Sequence, residues 1–167
     1  MPLLPYEKYN LYTRLSPEEA LQRLADNTEQ GGTKKPVGGK TVKPFRGQLT
    51  NETFSISPVI GYRNSFLPVL NGTYFRENGM TRIRTRLQLN DMVLVFCIIW
   101  LGIVGLCGIL LPISEIGGAL NGKRFDPMVF VPTGMFVFGY VLMIAAFKTE
   151  SARSKKLLAK VLDAHSD

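Results

Sequence analysis

Histidine, tryptophan and cysteine are scarce in this chain: its 167 residues hold one, one and two of them. With His165 alone near the C-terminus, no His-based triad, zinc site or haem ligation can be assembled. Cys97 and Cys107 lie in one apolar stretch, too far apart on a helix for a disulfide and without the second pair that a metal would need. They read as small apolar residues. Acid is also short relative to base: 13 Asp and Glu against 20 Lys and Arg leave a formal charge of +7. The opening MPLLPYEKYNLYTRL has no basic start followed by an apolar run of ~7–15 residues, so it does not read as a cleaved signal.

Charge is missing altogether from two long runs. MVLVFCIIWLGIVGLCGILLPI, residues 92–113, is long enough at about 1.5 Å per residue to cross a ~30 Å hydrocarbon core. PMVFVPTGMFVFGYVLMIAAF, residues 127–147, is of similar length and carries Pro127 and Pro132 near its start, where a helix tolerates them. Buried helices of soluble proteins normally keep a polar stripe, and neither run has one. Two transmembrane helices are therefore expected. Arg82, Arg84 and Arg86 precede the first span, and Lys148, Arg153, Lys155, Lys156 and Lys160 follow the second, whereas the connector SEIGGALNGKRFD holds only Lys123 and Arg124. This asymmetry predicts a multi-pass protein of the cell's inner (plasma) membrane with both termini cytoplasmic. The concentrated positive charge favours anionic headgroups, by roughly 1 kcal/mol per basic residue near the surface. Nucleic acid is not an expected partner, because aromatic and basic residues do not interleave as in a stacking platform.

Residues 1–91 read as a cytoplasmic α+β domain. Ser16, Pro17 and Glu19 form a capping box with proline at the first helical position, and Ala20, Leu21, Leu24 and Ala25 share one face, which predicts an amphipathic helix from Pro17 to about Thr28. Residues 30–44 form a Gly-, Lys- and Pro-rich loop. Its GGKT imitates a phosphate-binding loop, but Lys34 stands where the first glycine belongs. The sequons at Asn51 and Asn71 lie on the side assigned to the cytoplasm, so no glycosylation is expected. From Phe45 the periodicity becomes two: FRGQL and TFSISPVIG read as strands, and Asn78-Gly79 marks a hairpin turn. In its second arm Ile83, Thr85, Leu87 and Leu89 alternate with Arg82, Arg84, Arg86 and Gln88, one buried face against one basic face. Residues 148–167 read as a separate basic amphipathic helix, with Leu157, Leu158, Val161 and Leu162 opposite Lys155, Lys156 and Lys160.

The polar knot YRNSF, Tyr62 to Phe66, interrupts this pattern. As a strand corner, Arg63 and Asn64 tie the connection, Ser65 completes its turn, and Tyr62 and Phe66 cover the core. As a contact surface, the same five residues meet a ligand or partner. No general base or metal ligand accompanies them. In the first span Gly102, Gly105 and Gly108 permit close approach of the second, and Trp100 sits too deep for the interfacial belt, packing in the hairpin or against a partner.

The ordered set YTRLSPEEALQRL, FRGQL, FSISPVIGYRNSFLPVLNG, MTRIRTRLQL and FCIIWL resembles a family of small uncharacterised bacterial two-span membrane proteins. Its most specific element is YRNSFLP followed by Gly72. The resemblance implies a compact, β-rich, pleckstrin-homology-like cytoplasmic domain on a two-helix hairpin, and no catalytic residues to carry over.

The expected fold class is thus an α+β membrane protein: a small antiparallel sheet with an N-terminal amphipathic helix, a hairpin over 92–147 and a C-terminal amphipathic helix. No enzyme activity and no cofactor are expected. The function read from the residues is a membrane-anchored interaction or scaffold protein, whose cytoplasmic platform meets a protein partner or anionic headgroups through Tyr62, Arg63, Asn64, Ser65, Phe66, Arg82, Arg84, Arg86 and Trp100. The alternative is an immunity- or envelope-stress-type factor acting on another membrane protein through its hairpin.

Overall fold

A computed structural model of the chain describes residues 4–30, 43–62, 64–77, 79–122 and 124–166. Arg63, Asn78, Lys123 and the GGKT stretch lie outside the described residues. The chain forms two compact units, residues 1–90 with 147–167, and residues 91–146.

The first unit is built on one sheet. Its strands are β1 (Tyr6–Thr13), β2 (Thr28–Gln30), β3 (Phe45–Leu49), β4 (Thr53–Pro58), β5 (Pro68–Glu77), β6 (Met80–Leu89) and the two-residue β7 (His165–Ser166). They lie in the order β2-β3-β4-β5-β6-β1-β7. β2 and β3 run parallel and every other neighbouring pair is antiparallel, so the sheet is mixed and not the purely antiparallel one expected. A three-residue strand such as β2 is too short to show a period in sequence. The β5–β6 hairpin turns through two residues, and Gly79 takes the positive φ of 78° that such turns demand.

Alternation along the strands separates two faces. Leu11, Phe54, Ile56, Leu70, Ile83, Leu87 and Leu89 are buried on one of them. Helix α1 (Pro17–Asp26) contributes Ala20 and Leu24 to that core. Its start forms as the sequence dictates: the Ser16 hydroxyl accepts from the Glu19 amide at 3.1 Å and the Ser16 amide donates to the Glu19 carboxylate at 2.8 Å. The helix stops at Asp26, because Thr28 already belongs to β2.

The rest of the cover comes from the far end of the chain. Helix α3 (Val131–Leu162) is one continuous element, so residues 148–167 are not a separate helix and group instead with the sheet. Its buried stripe is Phe147, Glu150, Ser151, Ser154, Leu158 and Leu162, the i, i+3, i+4 spacing of a helix face. Leu157 and Val161, expected on that face, are only half-buried. Glu7 pairs with both Lys148 and Lys155, Lys155 lies over the Tyr9 ring, and the Thr13 hydroxyl donates to the Leu162 carbonyl at 2.9 Å. From Lys148 to Leu162 a helix advances about 21 Å, and from Glu7 to Thr13 a strand advances about 20 Å. The helix therefore follows β1 in step. After Leu162, Asp163 adopts φ 47° and the Ala164 amide donates to the Ala159 carbonyl at 3.0 Å, a left-handed helix end that returns the chain to pair with β1.

The second unit is a helical hairpin. Helix α2 (Asp91–Leu120) runs seven residues beyond the expected end at Ile113, so the connection is shorter than Ser114–Asp126. It passes through Pro112, which has no amide proton to give to the carbonyl of Gly108 four residues earlier. The Thr133 hydroxyl of α3 donates to that carbonyl at 2.8 Å and replaces the lost bond. A side chain at Gly108 would meet the Thr133 backbone at 3.0 Å, and one at Gly139 would meet the Trp100 ring at 2.5 Å. Asp126 accepts from the Met128 amide at 2.9 Å and starts the 3-10 turn Pro127–Phe130 that leads into α3. The stretches Asp91–Gly118 and Pro127–Leu162 are long and apolar enough to cross a membrane, and only 11% and 6% of their most apolar windows are buried.

Candidate functional site

The two faces of the sheet differ in what covers them. α1 and the second half of α3 supply the buried residues opposite the core face, whereas on the other face Arg84 and Arg86 are exposed and Arg82 is half-buried.

Strand register sets the chemistry of that open face. One row across neighbouring strands runs Gln48, Ser55, Asn71, Arg86 and Lys8, and the next runs Thr53, Thr73, Arg84 and Asn10. Short side chains on β4 and β5 are thus flanked by long ones on β3 and β6. With strands about 4.8 Å apart, the result is a trough about 14 Å across from Gln48 to Arg86. Its volume is about 480 Å³, and its lining includes Gln48, Ser55, Asn71, Thr73, Arg84 and Arg86. No carboxylate lines it among the described residues. Phe75 also lines it, half-exposed, with the Arg84 guanidinium 5.6 Å from its ring centre.

The other arginines of this face are neutralised. Arg46 meets Glu29 at 3.3 Å, and Arg82 meets Glu77 at 3.0 Å and lies 5.9 Å from the Tyr12 ring centre. Arg84 and Arg86 have no ion pair among the described residues. The arrangement attracts anions, since guanidinium groups, hydroxyls and amides all offer donors to one concavity.

The YRNSF corner does different work. The Tyr62 hydroxyl donates to Glu150 Oε1 at 2.6 Å, Asn64 Nδ2 donates to the same oxygen at 3.1 Å, and Arg153 Nη1 donates to it at 3.1 Å and to the Tyr62 hydroxyl at 2.9 Å. Asn64 Oδ1 in turn accepts from the Phe66 amide at 2.9 Å, the local turn expected of asparagine. The hydrogen bond to the Glu150 carboxylate, with burial and the charge of Glu150 adding to it, holds the Tyr62 hydroxyl above its ordinary pKa. Glu150 is itself 4% exposed, so these donors take the place of the water its carboxylate would otherwise bind. Tyr62 does not cover the core: half of its surface is exposed. Phe66 is half-buried and Ser65 exposed. Arg63 lies outside the described residues.

The sequence candidates therefore separate into three places. Tyr62 and Asn64 converge on helix α3, Arg82, Arg84 and Arg86 share the open face, and Trp100 packs over Gly139 inside the hairpin. Sequence reasoning missed Glu150 and Arg153, which carry no local signal, and it missed the trough residues Gln48, Ser55, Asn71 and Thr73. The last two were within reach, because they alternate with the buried Leu70 and Tyr74 on the strand paired with the arginine row.

A second ionic cluster sits on the core side. Burial raises the pKa of the Glu7 carboxyl, but the hydrogen bonds and charges of Lys148 and Lys155 outweigh it and hold the group below its ordinary value. Among the described residues no three His, Cys, Asp or Glu side chains gather as metal ligands. Protein-family models, curated proteins and solved structures offer no match to this chain.

Proposed function

We propose that this is a non-enzymatic, membrane-anchored interaction protein: the hairpin 91–146 holds it in the bacterial inner membrane with both termini cytoplasmic, and the open face of the sheet is its binding platform. The single observation that carries the reading is the asymmetry of the sheet: among the described residues its apolar face is closed by the chain's own helices, while no element covers its basic face. Arg84 and Arg86, with no ion pair among the described residues, give the polar trough a positive field that attracts anionic partners. Anionic headgroups and acidic protein surfaces are the complementary partners. The YRNSF corner then serves as the clasp that keeps α3 on the sheet.

Two experiments test this. An impermeant thiol reagent applied to intact cells should label Asn121→Cys in a chain carrying Cys97→Ala and Cys107→Ala, and should not label Ser65→Cys in the same background. Labelling only at the second position would invert the topology. Partner capture by the full chain from gently solubilised membranes should be lost with Arg84→Glu and Arg86→Glu together and kept with Trp100→Ala.

The reverse pattern would favour action through the hairpin on another membrane protein. One observation supports that second reading: an apolar groove of about 280 Å³ runs along Leu101, Gly102, Gly105, Gly108, Thr133 and Phe136, and a side chain at Gly102 would meet nothing within 4 Å.

A further inference from the structure

The trough on the open face has the size and donor set of a small-molecule site. Ligand pockets typically enclose about 300–1,000 Å³, and this one, at about 480 Å³, is far larger than inorganic phosphate requires. Arg84 and Arg86 project from alternate positions of β6, about 7 Å apart along the strand. Both lack an acidic partner among the described residues, and both border the trough. Two adjacent guanidinium groups match an anion of charge −2, and each can form paired hydrogen bonds to its oxygens. A phosphate monoester carries that charge near neutral pH, whereas the phosphodiester of an ordinary phospholipid carries one. Ser55, Asn71, Thr73 and Gln48 supply hydroxyl and amide groups for the remaining body of a ligand, and the half-exposed Phe75 ring offers a stacking face beside Arg84.

We infer that the trough binds a soluble phosphate monoester with a ring-bearing organic body, its phosphoryl group held by Arg84 and Arg86 and its body lying over Ser55, Asn71 and Thr73 toward Gln48. This rests on the reading of the open face as the platform and gives that face a specific occupant. Arg46 and Arg82, engaged by Glu29 and Glu77, take no part. Lys8, beside Arg86 in the β1 register, adds long-range attraction to the phosphoryl end.

The test is calorimetric titration of the full chain in non-ionic detergent, in phosphate-free buffer at fixed ionic strength, with AMP, glucose 6-phosphate, adenosine and inorganic phosphate as probes. At least one of the two esters should bind at one site per chain, and at least tenfold more tightly than either adenosine or inorganic phosphate. Arg84→Gln with Arg86→Gln should weaken that binding at least tenfold. Ser55→Leu, which fills the trough and leaves both arginines in place, should weaken it to a similar degree. Arg46→Gln should leave it within twofold. All these positions lie on the open face, and unchanged thermal melts show that each variant is folded.

Absence of binding by both esters overturns the inference. So does inorganic phosphate binding as tightly as the esters, or binding indifferent to Ser55→Leu, since either would make the arginines a diffuse basic surface. If the esters fail while partner capture still depends on Arg84 and Arg86, the ligand assignment falls and the platform reading stands. Loss of both would discard both.

Discussion

The sheet unit and the hairpin unit treat apolar residues in opposite ways. Among the described residues of the sheet unit, Leu4, Tyr62, Phe75 and Met80 are the large hydrophobic side chains left exposed, while in the hairpin Ile98, Ile99, Ile103, Ile109, Val137, Phe138 and many others are exposed. The first pattern is that of a domain folding against water, and the second requires another apolar medium or partner. A single helix takes part in both. Over its first half α3 meets α2 through Thr133, Phe136 and Gly139, and over its second half it presents serines, leucines and a buried glutamate to the sheet.

The sharpest way to break this contrast uses one residue type on that one helix. Phe147 is fully buried and Phe138 is 70% exposed. Phe147→Ala should cost about 3–5 kcal/mol, while Phe138→Ala should stay within about 0.5 kcal/mol in detergent. Denaturant titration of the full chain followed by tyrosine fluorescence checks both. Equal costs would mean that the two halves of the helix do not differ as described.

Next in size is the clasp. Glu150→Ala leaves the Tyr62 hydroxyl and the Asn64 amide without their acceptor and should destabilise the sheet unit by about 1–3 kcal/mol. Tyr62→Phe removes a single exposed donor, leaves Asn64 and Arg153 on the carboxylate, and should lower the melt by less than Glu150→Ala does. Thermal melts decide, and an unaffected Glu150→Ala melt would return the YRNSF corner to the list of contact surfaces.

Within the hairpin, Thr133→Val strips the Gly108 carbonyl of its substitute donor and should cost about 1–2 kcal/mol. Gly102→Ala, in open space, should stay within about 0.5 kcal/mol. Unfolding of the hairpin in mixed micelles compares the two, and equal effects would remove the repair of the Pro112 gap.

The smallest effect is a dependence on pH. Glu7 titrates below 4.5 in the folded chain because of Lys148 and Lys155, so the stability it contributes is complete above the unfolded value of 4.5 and is lost as pH falls through the depressed one. Melting temperatures between pH 3 and pH 7 should fall less steeply at the acid end for Glu7→Gln than for the parent. Identical slopes would remove the ionic contribution from the contact between α3 and β1.

What the residues disclose in advance follows from how each feature is encoded. Helix α1 was legible because a capping box is local, and β6 because strict alternation of arginine with Ile83, Thr85, Leu87 and Leu89 admits one reading. The long apolar helices were legible from composition, although α2 continues through Pro112 because a hydroxyl from another helix mends the gap. The buried stripe of α3 was hidden: Ser151 and Ser154 are polar in a scale and buried in the structure. Of the apolar residues that marked a face in sequence, Leu158 and Leu162 lie on the stripe, whereas Leu157 and Val161 flank it. Tyr62 and Asn64 could be read as a turn, but their common acceptor Glu150 lies over eighty residues away and leaves no local trace. The arginine row was evident, yet the trough beside it depends on which short side chains become neighbours across strands, and only register decides that.

The bond between Thr13 and Leu162 spans 149 positions, and this has a consequence for the order of events on the ribosome. At roughly 5–20 residues per second, the segment that closes the sheet emerges about 7–30 seconds after the strand it must cover. Leu11 lacks its lid throughout that interval, Ile83 and Leu87 lack theirs for about its second half, and the hairpin has been synthesised before the lid exists. A nascent chain with its apolar sheet face bare is a natural client for a holding chaperone, and stop codons placed just after Phe147 should yield a product that such chaperones retain.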